Sequence, residues 1–198
     1  MDQNASITRP GLTFPKQEAE VLRAAYAEAT TILEYGSGGS TVMAGEMTGK
    51  RVFSIESDAD WVAMMQGYFA AHPPKSEVEV IHADIGPTKE WGHPANRRGW
   101  KKYAGYSLDI WEKSKMGQPD VVLVDGRFRV GCALAAAFHT KAPLLLFFDD
   151  YKRRDHYHVV EEFLGTPEKV GRMAVFEVTP TPFPVDRLGW VIRMMTRP

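Results

Sequence analysis

The run Ile32-Leu33-Glu34-Tyr35-Gly36-Ser37-Gly38-Gly39-Ser40-Thr41 constrains this chain more than any other stretch. It reads as a short buried strand, a glycine-rich turn and the start of a helix. Glycine reaches backbone angles that other residues avoid, and it lets a ligand come close to the main chain. A helix that begins directly after the turn offers unpaired N–H groups and the positive end of its dipole. Such a turn suits a cofactor held at the carboxyl end of the first strand of an open sheet. Gly36 and Gly38 fit the first two glycines of the dinucleotide pattern G-x-G-x-x-G, but Thr41 stands at the third. Glu34 would be badly placed beside a pyrophosphate and well placed to accept a bond from an ammonium group.

The rest of the chain alternates strands and helices. Residues 1–14 read as an irregular lead-in with a turn at Pro10-Gly11. Val21, Leu22, Ala25, Tyr26 and Ala29 recur at helical spacing, which predicts a helix from Pro15 to about Thr30 lying across the sheet edge or over the cofactor mouth. After the turn a helix runs to about Thr48, with Gly49 as its cap. A second strand, Arg51–Ile55, delivers Glu56 about 20 residues beyond the turn, where an acid commonly takes ribose hydroxyls in this architecture. Ser57 follows and is a further candidate contact. The alternative is that Glu56 caps the next helix together with Ser57 and Asp58. Residues 59–70 carry Trp61, Val62, Met64, Met65, Tyr68 and Phe69 on one broad face and read as a core helix.

Strand three, Val78–His82, leads into Ala83-Asp84-Ile85. Residues 86–118 differ in character: they hold Trp91, Trp100 and Trp111, and Lys and Arg outnumber Asp and Glu. A connection this long is usually functional or disordered, and its aromatics argue against disorder. It reads as a partly helical lid whose aromatics stack on an acceptor and whose cations hold an anionic group, or else as a cover for the sheet edge. Strand four, Asp120–Val124, and strand five, Leu144–Phe148, are continuous apolar runs, as expected of parallel strands buried on both faces. They end in Asp125-Gly126 and Asp149-Asp150-Tyr151. Bunched carboxylates repel unless a cation or a shared proton separates them. That pattern suggests a hard divalent ion such as magnesium, bound by oxygen and able to activate an acceptor hydroxyl. The alternative is neutralisation by the basic run Lys152-Arg153-Arg154, with Asp125 or Asp150, or His156 or His158, as a general base. Met173–Val178 and Trp190–Met195 read as two terminal strands joined by a proline-stiffened connection.

Glu34 with its turn resembles motif I of the class I S-adenosylmethionine-dependent methyltransferases, an acid followed by G-x-G-x-G, here with Ser40 at the last position. The order Glu34, Glu56, Asp84, Asp125 is similar to that family over roughly residues 30–195. The strand-end acids resemble those of the metal-dependent, macrocin-type O-methyltransferases. The resemblance implies a Rossmann-like, doubly wound, mostly parallel seven-stranded sheet with a C-terminal antiparallel hairpin. It implies S-adenosylmethionine as cofactor. Glu34 would meet the methionine ammonium, Gly36, Ser37, Gly38 and Ser40 the methionine part, Glu56 and Ser57 the ribose, and Asp84 the adenine amine, unless Asp84 is an ordinary turn residue. Asp125 and Asp150 would be catalytic, and Asp125, Asp149 and Asp150 would hold a divalent cation. The expected reaction is O-methylation of a small acceptor, anionic, sugar-like or aromatic. The alternatives are an NAD(P)-dependent dehydrogenase and a non-catalytic nucleotide- or RNA-binding module.

Length and composition narrow the choice. A chain of 198 residues suits one domain, with 1–30 as an N-terminal helical extension and 86–118 as the lid. A net charge of −1 argues against nucleic acid as the partner. The single cysteine, Cys132, excludes an intrachain disulfide and reads as a buried thiol. No apolar run approaches the roughly 18–20 residues that span a bilayer. The N-terminus lacks the basic and apolar pattern of a secretory signal, so the expected location is cytoplasmic.

Overall fold

The computed structural model describes residues 8–198; the first residues of the lead-in, 1–7, lie outside the described part. In chain order the first half contains α1 (Lys16–Glu28), β1 (Thr31–Tyr35), α2 (Gly39–Glu46), β2 (Arg51–Glu56), α3 (Ala59–Ala71), β3 (Glu77–His82), β4 (Thr88–Lys89) and β5 (His93–Pro94). The second half contains α4 (Tyr103–Lys113), β6 (Val121–Val124), α5 (Arg129–His139), β7 (Leu144–Phe148), α6 (Glu161–Leu164), β8 (Glu168–Val170), β9 (Met173–Val178) and α7 (Leu188–Met195). The main sheet runs β3-β2-β1-β6-β7-β9-β8. Its first five strands are parallel, while β9 pairs antiparallel with β7 and β8 antiparallel with β9. This is the Rossmann-like, doubly wound fold that the strand and turn pattern implies.

Side chains alternate across each strand, so a central parallel strand feeds two cores. Ile32 packs with Leu22 and Tyr26 of α1 and with Val121, Leu123 and Phe147. Leu33 and Tyr35 face the other way, toward Tyr106 and Ile110 of α4 and the small residues of α5. Helix α1 therefore covers a face of the sheet rather than its edge or mouth. Helix α4 lies inside the expected lid, yet Tyr103, Tyr106 and Ile110 are buried against the sheet. Only the segment before it, with the β4–β5 ribbon, remains at the mouth. Cys132 is buried in α5, as its apolar setting implied.

The expected strand over 190–195 is instead helix α7. Val191 and Met195, one helical turn apart, are its buried residues. A Cβ at Gly131 would come within 2.9 Å of the Met195 Cα, so α7 sits directly on α5. Burying such side chains stabilises by roughly 1.5–3 kcal/mol each. Strand propensities span only about 1 kcal/mol, so packing overrides the β-branched run. The hairpin that closes the sheet is β8–β9, one step earlier than its expected partner strands.

Strand β1 has β2 on one side and β6 on the other, so the chain's winding reverses between β1 and β6. The turns after these two strands touch. Gly36 has φ +104°, and a Cβ there would lie 2.8 Å from the Gly126 amide nitrogen. A Cβ on Gly126 would lie 2.2 Å from the Tyr106 hydroxyl and 2.9 Å from the Gly36 nitrogen. Gly126→Ala should therefore lower stability by about 1–3 kcal/mol. Urea denaturation checks this, and an unchanged midpoint would mean that the two turns can part at no cost.

Candidate active site

A cleft of about 560 Å³ opens at this reversal point, at the carboxyl ends of β1, β2 and β6. That is the size range of small-ligand pockets, and the place where open α/β sheets bind them. Its floor is the turn Gly36–Ser40. One wall is Glu56, Asp58 and Trp61, and the far end is Asp125, Gly126 and Arg127. Pro10–Phe14 and the tip Glu90–Gly92 close it from outside. The lead-in is held there by contact, since a Cβ on Gly39 would fall 2.3 Å from the Gly11 carbonyl oxygen.

Glu34 does not reach the cleft. It points, like Ile32, toward α1, and it is fully buried. The Tyr26 hydroxyl donates to its Oε1 at 2.7 Å and the Thr41 hydroxyl donates to its Oε2. Thr41 Oγ1 also accepts from the Gly38 N–H at 3.0 Å. Burial raises the Glu34 pKa, and the bonds from Thr41 and Tyr26 pull it back. The carboxylate thus holds the glycine turn from beneath, and an ammonium group in the cleft would find none of its surface.

Glu56 ends β2 with its carboxylate at the cleft wall and both oxygens accepting main-chain N–H bonds. Oε1 accepts from the Ser57 N–H at 2.6 Å and the Asp58 N–H at 3.0 Å, and Oε2 accepts from the Ser37 N–H at 3.3 Å. Capping of α3 falls instead to Asp58, which accepts from the Asp60 and Trp61 amides. Ser57 is buried beneath the β5 side, its hydroxyl donating to the Gly92 carbonyl at 2.9 Å. Trp61 leaves the core helix face expected of it. Its indole N–H donates to the Ser37 carbonyl at 2.8 Å, and the ring forms part of the cleft wall. Asp84 lies elsewhere, in a larger hollow of about 700 Å³ between β3 and α4 that the glycine turn does not line. There it pairs with Lys102 and accepts from the Gly86 N–H, and the Lys102 bond holds its carboxyl below the usual range.

The strand-end acids are met by arginines. Asp149, buried, takes a two-pronged bond from Arg172, Nε at 2.8 Å and Nη2 at 2.6 Å. Asp150 accepts from Arg154 at 2.8 Å, with Arg129 and Arg172 each 3.6 Å away. Buried Arg129 donates to Asp125 Oδ1 at 3.1 Å and to the main-chain carbonyls of Asp125, Gly126 and Asp149. These guanidinium groups are permanently cationic and occupy the oxygens that a divalent ion would need. Among the described residues no group of three or more His, Cys, Asp or Glu is arranged to hold a metal ion. The acids Asp125, Asp149 and Asp150 therefore do not fit a magnesium site. Asp149 and Asp150 also do not line the cleft; Asp125 does.

Asp125 is the exceptional carboxyl. Burial pushes its pKa up to about 7; Arg129 opposes the rise, and Asp149 and Asp150 add to it. Among the described residues three non-glycine positions have left-handed backbones, Trp91 (φ 63°), Phe128 (φ 51°) and Asp150 (φ 57°), and all sit on this rim. Such strain persists where surrounding structure over-determines it, commonly at functional sites.

A solved methyltransferase-like protein from Silicibacter pomeroyi is 55% identical to the chain, covering 96% of it and 99% of the other chain with a TM-score of 0.94. The chain belongs to the class I S-adenosylmethionine-dependent methyltransferases. The fold extends to an O-methyltransferase from Bacillus cereus in complex with S-adenosylhomocysteine (15% identity, 85% and 84% coverage, TM-score 0.58). It also extends to an RNA methyltransferase from Salinibacter ruber in complex with S-adenosylhomocysteine (18% identity, 88% and 98% coverage, TM-score 0.50). At such identities these two speak for the fold alone. No protein-family model matches the sequence, and no curated protein does. In this methyltransferase no helix among the described residues is long and apolar enough to cross a membrane.

Because the Asp125 pKa is higher in the folded chain than in the unfolded one, the folded state binds the proton more tightly. Its contribution to stability is full below about pH 4 and is lost as pH rises through about 7. Asp125→Asn should thus raise Tm by about 3 °C or more at pH 8 and leave it unchanged at pH 4. Equal melting curves at both pH values would refute a raised pKa.

Proposed function

We propose that the enzyme transfers the methyl group of S-adenosylmethionine to an oxygen of a small acceptor. The observation that carries this reading is a single cleft that unites the glycine turn, Glu56 and Asp125. Glu56 offers acceptor lone pairs to ribose hydroxyls, and a carboxylate is matched to two O–H donors. The main chain of Gly36–Ser40 receives the methionine part; Trp61 and Phe14 supply apolar wall. Bound S-adenosylmethionine supplies an electrophilic methyl group on a sulfonium, and the protein supplies alignment and exclusion of water. Asp125 takes the proton from the acceptor hydroxyl as the oxygen attacks. A base with a pKa near the working pH is suited to that step. Asp150, turned toward Arg154, helps by holding the arginines around Asp125.

The second reading is methyl transfer to nucleic acid. It is favoured by Trp91 and Trp100, 79% and 58% exposed on a loop that also carries Arg97, Arg98 and Lys101. Stacking on unpaired bases would use such rings. Labelled methyl transfer followed by mass spectrometry separates a small O-methylated product from modified RNA.

Calorimetry with S-adenosylhomocysteine tests the cofactor assignment. The wild type should bind it, and Glu56→Ala should weaken binding by about 10- to 100-fold, the equivalent of losing one or two hydrogen bonds to a charged group. Asp84→Ala should stay within about twofold, a change worth under 0.5 kcal/mol. Equal losses in both variants would mean that the adenosine lies elsewhere, and no heat from the wild type at millimolar ligand would remove the assignment.

A further inference from the structure

Behind the Gly126-Arg127 wall of the cleft lies a second, smaller cavity of about 140 Å³. Gly126 and Arg127 line both, so the two spaces share a wall. The small cavity is bounded by Arg127, Arg129, Arg154, Arg197, His93 and His156; no Asp or Glu lines it, and the one carboxylate at its edge is the α-carboxylate of Pro198, which forms no ion pair among the described residues. Its volume equals about five water molecules, room for one oxyanion and little more.

The cations differ in how far they are already neutralised. Arg129 is committed to Asp125 and to strand-end carbonyls. Arg154 shares Asp150 and also donates to the Tyr157 hydroxyl at 3.1 Å. Arg127 touches no acid: its Nη1 meets the His93 ring, and its Nε is buried without a hydrogen-bond partner. Arg197 forms no ion pair among the described residues. The surplus of positive charge is felt by its neighbours. Burial lowers the His93 pKa, and Arg127, Lys89, Arg129 and Arg154 lower it further. Burial likewise lowers that of His156, with Arg197, Arg154 and His158 adding to the fall and Asp155 opposing it. The first turn of α5 also opens here, set by the left-handed Phe128, so its unpaired N–H end adds to the same field. Like charges gathered in a part-buried space repel, and an anion between them removes that repulsion while satisfying the orphaned donor.

We propose that this cavity is the anion subsite of the methyl acceptor. A carboxylate or phosphate group of a small molecule binds Arg127, Arg154 and Arg197, and the rest of the acceptor extends along the Arg127 side chain, which borders both spaces, to present its hydroxyl to Asp125. The acceptor is thus a hydroxylated carboxylic acid or a phosphorylated alcohol or phenol. The acceptor role rests on the methyl-transfer reading; the presence of an anion site does not.

Histidine ring signals followed by NMR across a pH series test this on the full chain, with inorganic phosphate and malonate in separate arms. Either anion should raise the His93 and His156 pKa values saturably, and the arm that binds more tightly tells phosphate from carboxylate. Arg154→Gln combined with Arg197→Gln should weaken that binding by about tenfold or more. The same double variant should keep its affinity for S-adenosylhomocysteine, which also shows that it is folded. A wild type that binds S-adenosylhomocysteine while both histidines ignore both anions at tens of millimolar overturns the subsite. A wild type that binds an anion but not S-adenosylhomocysteine overturns the acceptor role by way of the methyl-transfer reading. A response to short RNA and to neither small anion also overturns the proposal.

Discussion

The candidate site of this protein depends on two turns that touch with no side chain between them. Where the sheet's winding reverses, the turn after β1 and the turn after β6 come together at Gly36 and Gly126. Any Cβ at either position would meet main chain or the Tyr106 hydroxyl at less than 3 Å. That contact holds Asp125 at the end of a cleft whose floor is the glycine turn. It also puts Arg127 on the wall between the cleft and the smaller basic cavity. The site is therefore a consequence of the sheet order, with the chemistry delivered by residues one or two positions past strand ends.

Beneath that contact lies a buried polar prop. Glu34, Thr41, Ser54 and Tyr26 form a closed set of hydrogen bonds under the turn, and Ser37 joins it through its hydroxyl, 2.7 Å from that of Ser54. A buried donor or acceptor left unpaired costs about 1–3 kcal/mol, so each member fixes the others. The turn's N–H groups are pre-set before any ligand arrives, which lowers the ordering cost of binding.

Charge is arranged on the same rim in a graded way. Asp149 is fully matched by Arg172, and Asp150 is shared among arginines. Asp125 is held by one buried guanidinium but desolvated enough for burial to win. Just beyond it the balance reverses, and arginines outnumber acids. A carboxyl with a raised pKa thus stands next to a pocket lined mainly by cations. A hydroxylated anion would satisfy both.

Much of this is written locally. The glycine turn and the apolar parallel strands follow from spacing within ten residues, because backbone angles and side-chain alternation are short-range properties, and the acid that ends β2 follows from its place about 20 residues beyond the turn. The role of Glu34 was not legible: the motif sets it against an ammonium group, whereas the fold buries it under α1, on the same side of the strand as Ile32 and bonded to Tyr26 and Thr41. The partners of the strand-end acids were not. Arg172 reaches Asp149 from 23 residues away, and Pro10–Phe14 roof the cleft from the far side of β1. The 190–195 run carries apolar side chains that serve a strand or a helix equally until α5 offers Gly131 as a seat. Which charges neutralise each other, and which surfaces close over a cleft, are properties of packing. They arise from distances between segments that no local pattern encodes.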